Sequence, residues 1–137
     1  MSAYHTQKTI YKDRDCLVEA LKEMGYAEVE VHDIATNLYG YHGDLRQQKA
    51  NVIVRRKYVG TAANDLGFVK ANDGTYTAIV SDYDSRAHNT SEWFLKLKCA
   101  YTERVDMKTA RKNGLQFLGK KMVNGKVQLQ FIDNRSK

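Results

Sequence analysis

Proline is missing from this chain altogether, cysteine occurs twice and tryptophan once. Without proline there is no rigid spacer and no proline-rich docking segment, so the 137 residues read as one domain, 1–137. Two cysteines, Cys16 and Cys99, are too few for a disulfide framework or a zinc cage. They are expected as buried thiols in a reducing compartment: the cytoplasm, an organelle stroma, or the host cytoplasm for a virus-encoded copy. No stretch approaches the roughly 20 uninterrupted apolar residues that a membrane-spanning helix needs. The start, Met1-Ser2-Ala3-Tyr4-His5, has neither a basic region nor an apolar one, so no signal peptide is expected. His5, His32, His42 and His88 are dispersed without zinc-like spacing, and no Gly-x-Ser-x-Gly elbow is present. The expectation is a protein that is not an enzyme and carries no cofactor or metal.

Acidic residues are scarce in one part only. Residues 1–85 hold 10 Lys or Arg against 12 Asp or Glu, whereas residues 86–137 hold 12 against 4. The overall charge of +6 is therefore carried by the rear of the chain. Such asymmetry points to an anionic partner: a protein partner with an acidic face, a nucleotide or a nucleic acid. The competing reading is a solvated helix face.

Local patterns outline the elements. Tyr4–Tyr11, rich in Thr and Tyr, reads as an edge or half-buried strand. Asp13 and Asp15 offer caps for a helix through Met24, which Gly25 ends. Glu28–Val31 alternates as a strand, and a polar loop of about fifteen residues is expected after it. Asn51–Arg56 reads as a short central strand, and Leu66–Lys70 and Tyr76–Val80 flank a turn at Asp73-Gly74. Asn89-Thr90-Ser91-Glu92 predicts a capping box, with Asn89 as the cap, opening a helix to about Lys112. Leu115–Lys121 and Lys126–Ile132 form a last hairpin at Asn124-Gly125, with Val127, Leu129 and Phe131 on a buried face. Together these predict an α+β fold: a mainly antiparallel sheet of six to seven strands with two helices packed on one face. Both halves share a helix–Gly–strand step, Met24-Gly25-Tyr26 and Asn113-Gly114-Leu115, which duplication or simple connection geometry would explain.

The order of several short stretches carries a resemblance. They are Ser2 and Thr9, Ala20-Leu21-x-x-Met24-Gly25, Gly40-Tyr41-x-Gly43, Asp65-Leu66-Gly67-Phe68, Tyr76 with Ile79-Val80-x-Asp82, Tyr101 with Val105, Gly114, and Asn124-Gly125-Lys126-Val127-x-Leu129. In this order and over nearly the whole chain they resemble the hypothetical chloroplast reading frame thirty-five family. That is a domain of unknown function also found in cyanobacteria, other bacteria and phages. The chain departs from the family in having Ala3-Tyr4-His5 for its usual His-Phe-Ser and Tyr39 for the Arg before its Gly-Tyr pair. The resemblance implies an accessory role and supplies no reaction.

Two groups of residues are candidate sites. In Tyr39-Gly40-Tyr41-His42-Gly43, glycines allow backbone amides to approach a ligand, and the rings can stack, with Arg46 and Lys49 downstream to meet an anion. The missing Lys-Ser/Thr ending separates it from a Walker loop. Along the long helix, Arg104, Lys108, Arg111 and Lys112 recur at three- and four-residue spacing, with Lys120 and Lys121 on the hairpin and Arg55-Arg56-Lys57 at a strand end. Asp82, Asp84 and His88 have a spacing compatible with a loose metal site but also with an ordinary strand-to-loop transition. The expected function is an accessory or adaptor protein that binds an acidic protein partner through the Gly/Tyr loop and the basic rear half. The alternative is a nucleotide- or nucleic-acid-binding protein that uses the same surface.

Overall fold

Val52, Val54, Leu66, Phe68, Ala78 and Val80 alternate along three neighbouring strands, so each interior strand turns one apolar side toward the helices. The computed structural model describes residues 3–133. In chain order the elements are β1 (Tyr4–Lys8), α1 (Arg14–Glu23), β2 (Glu30–Tyr39), β3 (Leu45–Val54), the one-turn α2 (Arg56–Val59), β4 (Leu66–Lys70), β5 (Tyr76–Ser81), the one-turn α3 (Asp84–Ala87), α4 (Ser91–Lys112), β6 (Leu115–Val123) and β7 (Lys126–Asp133). The fold is α+β. Five strands form an antiparallel sheet in the order β1-β5-β4-β3-β2, and β6 and β7 make a separate two-stranded sheet. Ser2, part of the resemblance's first strand, lies outside the described residues.

Helices α1 and α4 cover one side of the larger sheet. Leu17, Leu21 and Leu97 are fully buried against Phe68, Leu66 and Val54. Each such side chain contributes roughly 1.5–3 kcal/mol by leaving water. The cap of α1 is the expected Asp13, whose Oδ1 accepts from the Cys16 amide at 3.1 Å. Tyr101 of α4 fastens the two helices, because its hydroxyl accepts from the Lys12 and Asp13 amides at 3.0 Å each. The cap of α4 is Thr90, not the expected Asn89: the Thr90 hydroxyl accepts from the Trp93 amide, and Asn89 is buried one residue before it.

The long polar loop expected after Val31 is mostly strand. β2 continues to Tyr39 and β3 begins at Leu45, leaving a short turn at residues 40–44. Alternation was hidden by a bulge: Val31 faces Val52 but Thr36 faces Ala50, so His32–Ala35 stand opposite Asn51 alone. The Asn51 amide donates to the His32 carbonyl at 3.0 Å and the Asp33 carbonyl at 3.3 Å, holding the bulge. Beyond it, β2 and β3 curl across the helix-free side of the sheet, where Leu38, Ala50, Ile53 and Ile79 form a second buried cluster. Gly67 is what lets them close, since a Cβ there would sit 2.7 Å from that of Ala50 and 3.1 Å from Leu38.

The last hairpin departs further from expectation. Leu129 and Phe131 are half-buried, with Phe117 stacked edgewise on Phe131 at 5.7 Å, but Val127 and Met122 on the same face remain exposed. The face expected to be buried is thus covered only along part of its length. Cys16 is buried as expected, and burial pushes its thiol up to about 11; Cys99 is exposed, on the outward side of α4.

Candidate functional site

A charge-bearing residue at the start of β4 organises the region around the Gly/Tyr turn. Asp65 is buried, and its two carboxylate oxygens accept from three donors. Oδ2 accepts from the Tyr39 amide at 2.7 Å and from Arg55 Nη1 at 2.8 Å, and Oδ1 accepts from the Arg56 amide at 2.7 Å. Its main chain adds two more ties, an amide donating to the Tyr39 carbonyl at 3.0 Å and a carbonyl accepting from the Tyr4 hydroxyl at 2.8 Å. Strand β1, the β2–β3 turn and the corner leading into α2 are therefore held at one residue, the first through its carbonyl and the other two through its carboxylate. Burial first, and then the charge of Asp65, push the Tyr4 phenol well above its ordinary range, so it stays a donor at any working pH.

Arg55 completes the junction. Its Nε and Nη2 form a fork on Glu30, at 2.7 and 2.8 Å, while Nη1 also donates to the Asn37 carbonyl at 3.2 Å. Hydrogen bonding from Arg55 and then from His32 holds the Glu30 carboxyl below its usual value. The guanidinium lies 5.5 Å over the Tyr39 ring. Asp65 and Arg55 had no role in the sequence reading beyond a motif and a basic run. The available signal was the quoted Asp65-Leu66-Gly67-Phe68, in which a carboxylate opens an otherwise apolar strand.

The turn itself is tightly tied. Gly40 N donates to the Asp44 carbonyl at 2.8 Å, Gly43 N to the Gly40 carbonyl at 2.9 Å, and Tyr41 N to Asn64 Oδ1 at 2.8 Å. With Tyr39 N on Asp65, four of the five amides in residues 39–43 have internal acceptors. A Cβ on Gly40 would meet the Asp44 carboxylate at 2.6–2.9 Å, so this glycine serves close packing of the turn on itself. What the turn turns outward is side chains: Tyr39 and Tyr41 are 41 % and 48 % exposed, and the Tyr41 and His42 rings lie 4.5 Å apart. Arg46 does not join them. It points back over the Tyr4 ring at 4.8 Å, with Asp44 at 3.9 Å.

An open cleft of about 330 Å³ lies between the turn and the corner, lined by Tyr39, Gly43, Arg55, Arg56, Lys57 and Asp65. Arg56 reaches across it, Nη1 donating to the Tyr41 carbonyl at 3.1 Å. Arg56 and Lys57 are exposed and form no ion pair among the described residues, and Lys57 sits 4.9 Å over the Tyr58 ring. The fold thus brings the Gly/Tyr turn to the Arg55-Arg56-Lys57 run, which sequence had left apart.

The basic stripe of α4 is differently placed. Arg104 lies against Glu23 at 3.4 Å and Glu19 at 3.8 Å, both on α1, and Lys108 is hydrogen-bonded to the Asp13 carboxylate. Lys120 of the hairpin meets Glu103 at 2.5 Å and Glu23 at 3.6 Å. Burial would raise the Asp13 carboxyl, but the hydrogen bonds from Lys108 and the Cys16 amide win and hold it below its usual value. Arg111, Lys112 and Lys121 are exposed and form no ion pair among the described residues. Asp82, Asp84 and His88 disperse. Asp82 pairs with His5 at 2.9 Å, the buried Asp84 accepts from the Asn64 amide at 2.9 Å, and His88 Nε2 donates to the Thr61 carbonyl at 2.9 Å. Among the described residues no group of three His, Cys, Asp or Glu side chains is placed to hold a metal ion. Among the described residues no helix is long and apolar enough to cross a membrane.

An antiparallel five-stranded sheet with two helices on one side, and a tied turn beside a cationic corner, defines a small α+β domain. By sequence the chain belongs to a family of proteins of unknown function (DUF1257), whose model matches residues 20–129. No curated protein and no solved structure matches the chain.

Proposed function

We propose that the protein is a non-catalytic accessory that grips an acidic segment of a partner protein in the cleft between the Tyr39–Gly43 turn and the Arg55–Lys57 corner. The observation that carries this reading is the state of Arg56 and Lys57: both are exposed beside open aromatic faces, and neither pairs with a carboxylate among the described residues. A carboxylate entering from outside gains charge-assisted hydrogen bonds there without displacing an internal acid. Arg111, Lys112 and Lys121 form a second cationic zone that steers such a partner by long-range attraction. The free thiol of Cys99 suits a reducing compartment such as cytoplasm or stroma.

Binding of a fluorescent glutamate-rich peptide, measured across a salt titration, tests the reading. The expected result is saturable binding that weakens with salt and is lost on Arg56→Gln with Lys57→Gln. Retention by short DNA or RNA at physiological salt, abolished by neutralising Arg104, Lys108 and Arg111, replaces it with a nucleic-acid-binding function. Affinity purification from the native host then identifies the partner.

A further inference from the structure

We infer that the free edge of β1 is a second docking site, which takes an extended, alternately apolar and acidic segment of a partner protein as an added strand. This site is separate from the cleft and does not rest on it. Among the described residues β1 is the outer strand of the sheet, paired with β5 alone. The Ala3 carbonyl accepts from the Asp82 amide at 2.8 Å in the same register that sets Tyr4 opposite Ser81. By the alternation of an antiparallel ladder, His5 and Gln7 then turn their main-chain groups to β5, while Tyr4, Thr6 and Lys8 turn theirs outward.

The two edges of this sheet are treated differently. β2, the other outer strand, carries the His32–Ala35 bulge, with Ile34 thrown out to 85 % exposure, a device that spoils a template for strand addition. β1 runs in regular register through all five of its residues, without a bulge. Alongside it lies an open groove of about 300 Å³ whose walls include Thr9, Ile10, Phe94, Leu95, Lys8 and Lys98. Ile10 and Leu95 are 57 % and 62 % exposed there, an apolar floor left open by the described residues. Lys8 and Lys98 stand at its rim and form no ion pair among the described residues. Main-chain groups, an apolar floor and an unanswered cation together fit a strand whose apolar side chains face α4 and whose carboxylates, on the opposite face, meet Lys8. A second copy of the chain is the poorer fit, because Tyr4–Lys8 brings no carboxylate to that rim.

The test is chemical-shift mapping on the whole protein with a soluble peptide of about eight residues alternating valine and glutamate, long enough for one strand. Saturable shifts confined to Tyr4–Tyr11 and Phe94–Lys98 are expected, unchanged by Arg56→Gln with Lys57→Gln. Thr6→Pro removes an outward amide, which an edge strand tolerates, and should weaken the peptide by about tenfold. Leu95→Glu, on the exposed side of α4, should weaken it similarly and serves if the proline variant fails to fold. Equal binding of a valine–lysine peptide, shifts that map to Tyr39–Lys57, an oligonucleotide filling the same groove, self-association through β1 in sedimentation, or no saturation would each overturn the assignment.

Discussion

Two cationic regions of this molecule look alike in sequence and differ in what their charges face. On α4 and the hairpin, Arg104, Lys108 and Lys120 are opposed by Glu19, Glu23, Asp13 and Glu103. At the corner after β3, Arg55 is answered by Glu30 and Asp65, but Arg56 and Lys57 beside it are answered by none of the described residues. The acidic excess of the front of the chain is thus partly placed on α1 to meet the rear, so a count of charge along the chain overstates the field outside it. A cation advertises itself to a partner only where the fold has withheld its counterion.

The sharpest way to break this contrast is at the corner's anchor. Asp65→Ala leaves Arg55 partly uncompensated and frees the Tyr39 amide, and should cost about 3–5 kcal/mol in denaturant unfolding. It should also abolish acidic-peptide binding, whereas Lys108→Gln on the exposed helix pair should leave the unfolding curve nearly unchanged. Next in size, Gly67→Ala drives a methyl into Ala50 and Leu38 and should lose about 1–3 kcal/mol, read by the same unfolding curves. Arg56→Gln with Lys57→Gln should leave stability within about 0.5 kcal/mol while lowering affinity for a glutamate-rich peptide by about tenfold. The same double change at Arg104 and Lys108 should alter that affinity far less, and an equal loss there would erase the distinction between the regions.

Acid sharpens the comparison from another side. Glu30 and Asp13 both have carboxyls held below their unfolded values, by Arg55 and by Lys108 with a helix-cap amide respectively. Their contribution is therefore fully present above the ordinary carboxylate range near pH ~4 and disappears as pH falls through the lower folded values. Unfolding midpoints taken from pH 7 downward should hold to about pH 5 and then decline. In Glu30→Gln the decline should be shallower, because that residue no longer takes up a proton on unfolding.

Much of the fold was legible because local chemistry and tertiary context agree. Asp13 caps α1, Asp73-Gly74 and Asn124-Gly125 close their hairpins, and the apolar Leu17, Leu21, Leu97 and Tyr101, at helical spacing, are all buried. β2 was missed because four residues facing one destroy alternation, and the bulge is held by Asn51, a partner distant in sequence. The partial cover of Val127 and Met122 was equally hidden, since a pattern shows which side a residue faces and not how far a neighbouring helix extends. At the candidate site, sequence supplied the turn and the basic run as separate fragments. Their meeting depends on Asp65, whose carboxylate's partners lie 9 to 26 residues away, and nothing in a single chain spells out such a convergence.

The kink that Asn51 maintains in β2 has a bearing on solubility. A sheet with two clean margins offers a neighbour a place to stack and then presents the same invitation again, which is how fibres lengthen. Here a molecule that met another along β1 would leave only the distorted margin of each outermost, so that growth halts at the pair instead of running on.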